Sequence, residues 1–259
     1  MSKRVFALAC HPDDIEFMMA GTLLLLRNSG CELHYMNLAN GCLGSVELDK
    51  AETARVRRAE GMHAAQYVGA TFHESLTEDL GVFYTPELVR KVTAVVRRIQ
   101  PDIMLLPSPE DYMEDHMNTT RVGVTAAFTR GMPNYETDPP EPATSRDVTL
   151  YHALPYGLTD GLRRTIVPDF FVDISSVIED KLNMLACHES QREWLDRTQG
   201  LSSYLETARE MSRSVGAMSG RFELAEGWRR HSHLGFSATD QDPLGELLAG
   251  YCTAGSGDG

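Results

Sequence analysis

The sequence predicts an α/β fold with a mostly parallel sheet flanked by helices, and three observations carry that expectation. Short apolar runs of strand length recur, among them Val5–Cys10, part of "ELHYMNLANG" and "DIMLLP" at 102–107. Strands buried on both faces read this way. Segments of helix length with start and stop signals alternate with them, and the first strand, helix and strand fit within about 35 residues, the span of a βαβ unit.

Each element has its own justification. Residues 15–29, "IEFMMAGTLLLLRNS", hold good helix formers, and Gly30 supplies a stop. The second strand closes on Asn40-Gly41, and 51–68 reads as a helix. Thr85 can cap the next helix with Pro86 at its first position, and Leu88, Val92, Val95 and Ile99 form its stripe. After "DIMLLP" comes the polar run "SPEDYMEDH" and then a helix over 117–130. Residues 132–147 hold four prolines and read as a surface loop, a length often tied to function. "DVTLYHALPYG" and "FFVDIS" suggest two later strands. Ser176 with Glu179, and Ser203 with Glu206, are capping-box signatures. Ile178, Leu182 and Leu185 follow the first, and Tyr204, Ala208, Met211 and Val215 the second. "TAGSGDG" reads as a frayed tail. With no internal repeat, the expectation is one domain over 1–236, Rossmann-like in layering, plus a C-terminal extension over 237–259.

Composition narrows the function classes. The 259 residues carry 24 Lys plus Arg against 37 Asp plus Glu, a net charge of −13 that disfavours nucleic acid as a partner. No apolar run approaches the roughly 18–20 residues that span a bilayer, so no membrane partner is expected. "MSKRVFALAC" reads as a first strand rather than a signal peptide, which makes the cytoplasm the expected compartment. The five scattered cysteines lack a CxxC and fit reduced thiols.

Two polar clusters fall where ligands of open parallel sheets bind, beyond the carboxyl ends of strands. One is His11-Pro12-Asp13-Asp14, the other Asp111 to His116. His11 and Asp14 are three apart across a turn entering a helix, so their side chains can converge, while Asp13 must point elsewhere. An imidazole and a carboxylate suit zinc, with the second carboxylate free to handle protons and His116 the best-placed third ligand. A helix cap at Asp13 or Asp14 beside a packed His11 is the alternative that four residues alone leave open. His188, His34 and the methionines Met18, Met19, Met211 and Met218 read as structural, and His231 with His233 as a turn.

The opening resembles the LmbE/PIG-L family of zinc-dependent N-acetylglucosaminyl deacetylases. The family's Ala-His-Pro-Asp-Asp-Glu is matched by Cys10-His11-Pro12-Asp13-Asp14-Ile15-Glu16, followed by Ala20-Gly21-Thr22. "NLANGCLG", "RVRRAEGMHAAQYVGA", "PDIMLLPSPEDYMEDH", "KLNMLACHESQ" and "RFELAEGW" continue the likeness from about Val5 to Trp228. The resemblance implies His11, Asp14 and His116 as ligands of Zn2+ and Asp13 as general base. It also implies Arg57 as a substrate contact, unless that residue forms a salt bridge to Glu60 or another acid that braces the helix, and Asp115 as the carboxylate orienting His116. The implied substrate is a small amino sugar or its conjugate, losing an N-acetyl group. Family members are often multimeric, which keeps a homo-oligomer open. The family's His-Pro-Asp-His is here Met113-Glu114-Asp115-His116, and a thioether donates no proton. Either His152, His188, Tyr112 or Glu114 replaces that histidine, or Asp13 handles both proton transfers, or activity is reduced. A metal-holding sugar-binding protein, or a zinc hydrolase of a non-sugar amide with loop 132–147 reshaping the pocket, are the rival readings.

Overall fold

The computed structural model describes residues 2–191 and 204–255. Its centre is one eight-stranded sheet in the order β3-β2-β1-β4-β5-β7-β6-β8. The strands are β1 (Arg4–Ala9), β2 (Glu32–Asn37), β3 (Thr71–His73), β4 (Ile103–Leu106), β5 (Thr149–Ala153), β6 (Phe170–Asp173), β7 (Ala225–Arg230) and β8 (Cys252–Ala254). The first five pair in parallel, whereas β5–β7, β7–β6 and β6–β8 are antiparallel. The sheet is therefore mixed, with its parallel half at the N-terminal side. Strand β8 takes up Thr253 and Ala254, correcting the frayed-tail reading at its start.

Among the described residues the helices are α1 (Asp14–Met18), α2 (Ala20–Asn28), α3 (Lys50–Val68), α4 (Pro86–Ile99), α5 (Glu114–Thr129), α6 (Ile178–Leu185), α7 (Tyr204–Ser219) and α8 (Pro243–Leu247). Alternation along β1 sets the layers. Val5, Ala7 and Ala9 face a core shared with α2, α6 and α7, while Phe6, Leu8 and Cys10 face the core under α4 and α5. A sheet covered on both faces explains why its strands read as continuous apolar runs.

Several expected elements form as the sequence indicates. Asp49 accepts from the Glu52 N–H at the start of α3, and Gly69 closes that helix at φ 73°. Thr85 caps α4 through the Leu88 N–H, with Pro86 in its first turn. Others differ. Residues 15–29 are two helices broken at Met19, because the buried Glu226 carboxylate captures the N–H groups of Gly21 (2.9 Å) and Thr22 (2.8 Å). Glu226 is in turn paired to the buried Lys181 at 2.7 Å. No capping box forms at Ser176: a 3-10 turn over Ser175–Val177 precedes α6, which starts without a side-chain cap. Ser203 lies outside the described residues. Helix α5 begins at Glu114, so His116 sits in its first turn rather than before it. The Pro-rich segment lies against α4, where Arg97 donates to the Glu141 carbonyl and Arg98 pairs with the Glu141 carboxylate.

Candidate active site

Strand order reverses between β1 and β4, the switch point of the sheet and the usual place for a ligand. The turn leaving β1 is pinned from several sides. Asn37, at the end of β2, donates to the His11 carbonyl at 2.6 Å, and the His11 N–H donates to Asp14 Oδ2 at 2.7 Å. Asp13 holds φ 112°, a conformation costing an L-residue about 1–3 kcal/mol that the surroundings must enforce.

Three donor atoms converge. His11 Nδ1 is 3.3 Å from His116 Nε2 and 3.7 Å from Asp14 Oδ2, and His116 Nε2 is 3.4 Å from the same oxygen. Bonds of about 2.0–2.2 Å to tetrahedral zinc imply donor separations of about 3.3–3.6 Å. Two of the three separations fall in that range and the third, 3.7 Å, lies about 0.1 Å beyond it, so the donor set is close to what such an ion needs. Cys10, His11 and Asp14 also gather donor atoms within 4.8 Å of one another. However, Cys10 Sγ faces His11 Nε2 at 3.6 Å, the nitrogen pointing away from Asp14, so one ion cannot use both sides of that ring. Burial pushes the Cys10 thiol up to about 11. His116 is the geometrically consistent third donor.

The carboxylates behind the imidazoles differ from expectation. Asp115 Oδ2 faces His11 Nε2 at 3.3 Å and also accepts from the Leu80 N–H at 2.6 Å. Behind His116 stands Asp111, whose Oδ2 is 3.2 Å from Nδ1. Asp115 thus orients His11, and Asp111, for which no role is expected from the sequence, orients His116; each fixes which nitrogen turns to the donor cluster. Burial would raise the Asp14 carboxyl, but His116 and His11 reverse this and hold it below the ordinary range. For Asp13 burial prevails over the opposing Arg57, and its pKa is raised.

Arg57 is also relocated. It is 2% exposed, donates to the Pro12 carbonyl and lies 3.4 Å from Asp13 Oδ1. Its guanidinium braces the turn that presents Asp13. It does not pair with Glu60, which binds the Ser190 N–H and hydroxyl. The other brace is Tyr204, at the start of α7, whose hydroxyl donates to Asp13 Oδ2 at 2.7 Å. No local signal in the sequence points to it, since the two residues are 191 positions apart.

The cluster opens into a cavity of about 420 Å³ lined by His11, Asp13, Asp14 and His116, with Phe17, Met18, Met19, Leu43, Leu80, Tyr112, Met113 and Tyr156 among its walls. Met18 and Met19 are thus cavity residues as well as packing ones. Of the candidates to replace the histidine at Met113, Tyr112 lines the cavity; His152, His188 and Glu114 do not. His188 is fully buried against Glu16, and His152 bonds His231 at 2.9 Å. No residue of 132–147 lines the cavity.

Fold and site define an α/β protein with a metal-competent donor set at the sheet's switch point. The model of the PIG-L family, GlcNAc-PI de-N-acetylase, matches residues 6–127. Diacetylchitobiose deacetylase of Thermococcus kodakarensis is 31% identical over 196 residues, 73% of this chain and 70% of that protein. The 4-oxalmesaconate hydratase of Pseudomonas putida is 24% identical over 227 residues, 85% of each chain. The structure of N,N'-diacetylchitobiose deacetylase from Pyrococcus horikoshii superposes with a TM-score of 0.73 at 25% identity, covering 94% of this chain and 89% of that one. The chain belongs to the PIG-L family, and it is an enzyme.

Proposed function

We propose that this chain is a zinc-dependent hydrolase removing an N-acetyl group from an amino sugar or amino-sugar conjugate. Hydrolysis of an N-acetyl amide follows from the family and its deacetylase relatives. The zinc ion rests on one observation above the others, three donors spaced close to the edge length of a zinc tetrahedron with a second carboxylate, Asp13, beside them in the same cavity; the sugar rests on the diacetylchitobiose deacetylase relatives.

His11 Nδ1, Asp14 Oδ2 and His116 Nε2 would hold the ion. When bound, zinc supplies Lewis acidity, polarising an amide carbonyl and making water acidic near neutral pH. Asp13 acts on the proton. Its carboxylate takes one from the attacking water, and its raised pKa gives it the affinity to keep that proton for the departing amine. Tyr204 and Arg57 fix where that carboxylate points. Met113 donates nothing, so Asp13 serves both transfers while the Tyr112 hydroxyl is a donor on the cavity wall.

A hydratase acting on a carboxylated substrate is a second reading, favoured by the Pseudomonas relative. Its substrate's anionic groups would want a cation. Among the described lining residues, Arg57 is the permanent cation, and it is buried on Pro12 and Asp13. The deacetylase reading therefore stands ahead. Zinc-reconstituted protein is expected to carry about one ion per chain and to release acetate from N-acetylglucosamine, diacetylchitobiose or their glycosides. Bound zinc with no acid released from a broad panel of N-acyl sugars would sink the reading.

A further inference from the structure

We propose that the cavity mouth is an apolar subsite, and that the amino-sugar substrate carries an alkyl or aryl aglycone leaving the site across Leu43, Leu80 and Tyr112. This rests on the deacetylase reading above and narrows its substrate.

These three residues line the cavity yet are 48%, 62% and 57% exposed. Single exposed hydrophobics need no explanation. These converge on one opening from three loops, those following β2, β3 and β4. Leu80 is the telling member. Its backbone is left-handed, φ 58°, where glycine or asparagine costs less, and its exposed side chain returns nothing to the core. The same residue gives its N–H to Asp115, so the apolar rim and the carboxylate behind His11 are built on one turn.

Among the described residues, three polar side chains of the wall are already engaged. Asp79 accepts from the N–H groups of Gly41 and Leu43, Ser108 bonds the Glu110 carbonyl and Arg229, and Gln191 donates to the Gly44 carbonyl. Among the described residues, a second hydroxyl-rich sugar unit finds few partners there beyond the Tyr112 and Tyr156 hydroxyls, whereas a hydrocarbon group finds exposed apolar side chains. The scissile carbonyl must lie at the donor cluster on the floor. The acetyl group is small enough to stay beside it, which leaves the aglycone to reach the mouth.

The test is calorimetric titration of metal-free protein with the methyl, butyl and hexyl glycosides of N-acetylglucosamine, so the readout does not depend on turnover. Affinity is expected to rise about two- to fourfold per methylene while the chain stays in contact. Leu43→Ser, alone or with Leu80→Asn, should flatten that rise, whereas Val167→Ser, an exposed position outside the cavity lining, should preserve it. Equal affinity for all three glycosides overturns the subsite. A rise with N-hexanoyl but not with hexyl glycosides overturns the aglycone assignment. Acetate release from zinc-loaded protein separates the two readings. Equal release from methyl and hexyl glycosides with flat binding removes the subsite alone. A rising series with no acetate released keeps the subsite and removes the deacetylase.

Discussion

The parallel and antiparallel halves of the sheet do different work. The parallel half, β1 to β5, carries every donor of the candidate metal centre, together with Asp111 and Asp115 behind them. The C-terminal half supplies none of these. It sends Tyr204 to Asp13, Ser190 to Glu60, and the buried Lys181–Glu226 pair to the break between α1 and α2. The contrast teaches that the identity of the candidate donors is set locally, by what a strand end can present. Their posture is set by buried polar contacts that reach across the sequence.

The sharpest cut separates base from donors. Asp13→Asn, a residue that tolerates positive φ, should leave zinc content unchanged while lowering kcat by about 10²–10⁴-fold; turnover at the parent rate would remove Asp13 as base. On the posture side, Glu226→Ala leaves Lys181 buried and unpaired. Denaturant unfolding should show a loss of about 3–5 kcal/mol, and a loss under 1 kcal/mol would mean that the break in α1–α2 needs no cap.

A third comparison uses pH. Burial, helped by His231 and Arg229 and opposed by the Pro107 carbonyl, depresses His152 from its usual 6.5 to about 4. Below pH 6.5 the unfolded chain takes up a proton that the folded one refuses, so stability falls as pH drops from 6.5 to 4, by on the order of 3 kcal/mol. Replacing His152 by Asn should flatten that limb of a stability–pH curve; an unchanged limb would place the acid sensitivity elsewhere. The smallest effect is Tyr204→Phe. Deleting one hydrogen bond to a carboxylate costs about 1.5–3 kcal/mol, read here as a kcat loss of roughly ten- to a hundredfold with KM held. A KM change alone would make Tyr204 a wall residue and not a brace.

The same division marks what could be read from sequence. His11, Asp14 and His116 were legible because two lie in one short motif and the third follows a recognisable buried strand. The parallel βαβ units were legible because strands buried on both faces lose their alternation. For Arg57 the sequence leaves the partner open between Glu60 and another acid, since a helix pattern shows a residue's face and not what lies opposite; the acid is Asp13. The carboxylates behind the imidazoles were hidden for a similar reason: Asp115 was expected behind His116 but faces His11, and Asp111 had no expected role. Which carboxylate stands behind which imidazole depends on where α5 starts, and that start came at Glu114, before the expected 117. The break at Met19 was illegible, because its cause, Glu226, lies more than 200 positions away. Strand β7, which carries that residue, lacks the continuous apolar character of β1 or β4.

The Lys181–Glu226 pair has a consequence for how the molecule is made. Domains are synthesised from the N-terminus at about 5–20 residues per second. The HPDD turn and both histidines of the donor cluster emerge early, but the cap for α2 and the partner of Lys181 emerge only with β7. Until then the helix behind the candidate active site has open N–H groups, and a lysine meant for the interior has no counter-ion. The nascent chain therefore carries the candidate donors and their nearest supports well before Tyr204 and Glu226, and these last braces join the site late in biosynthesis.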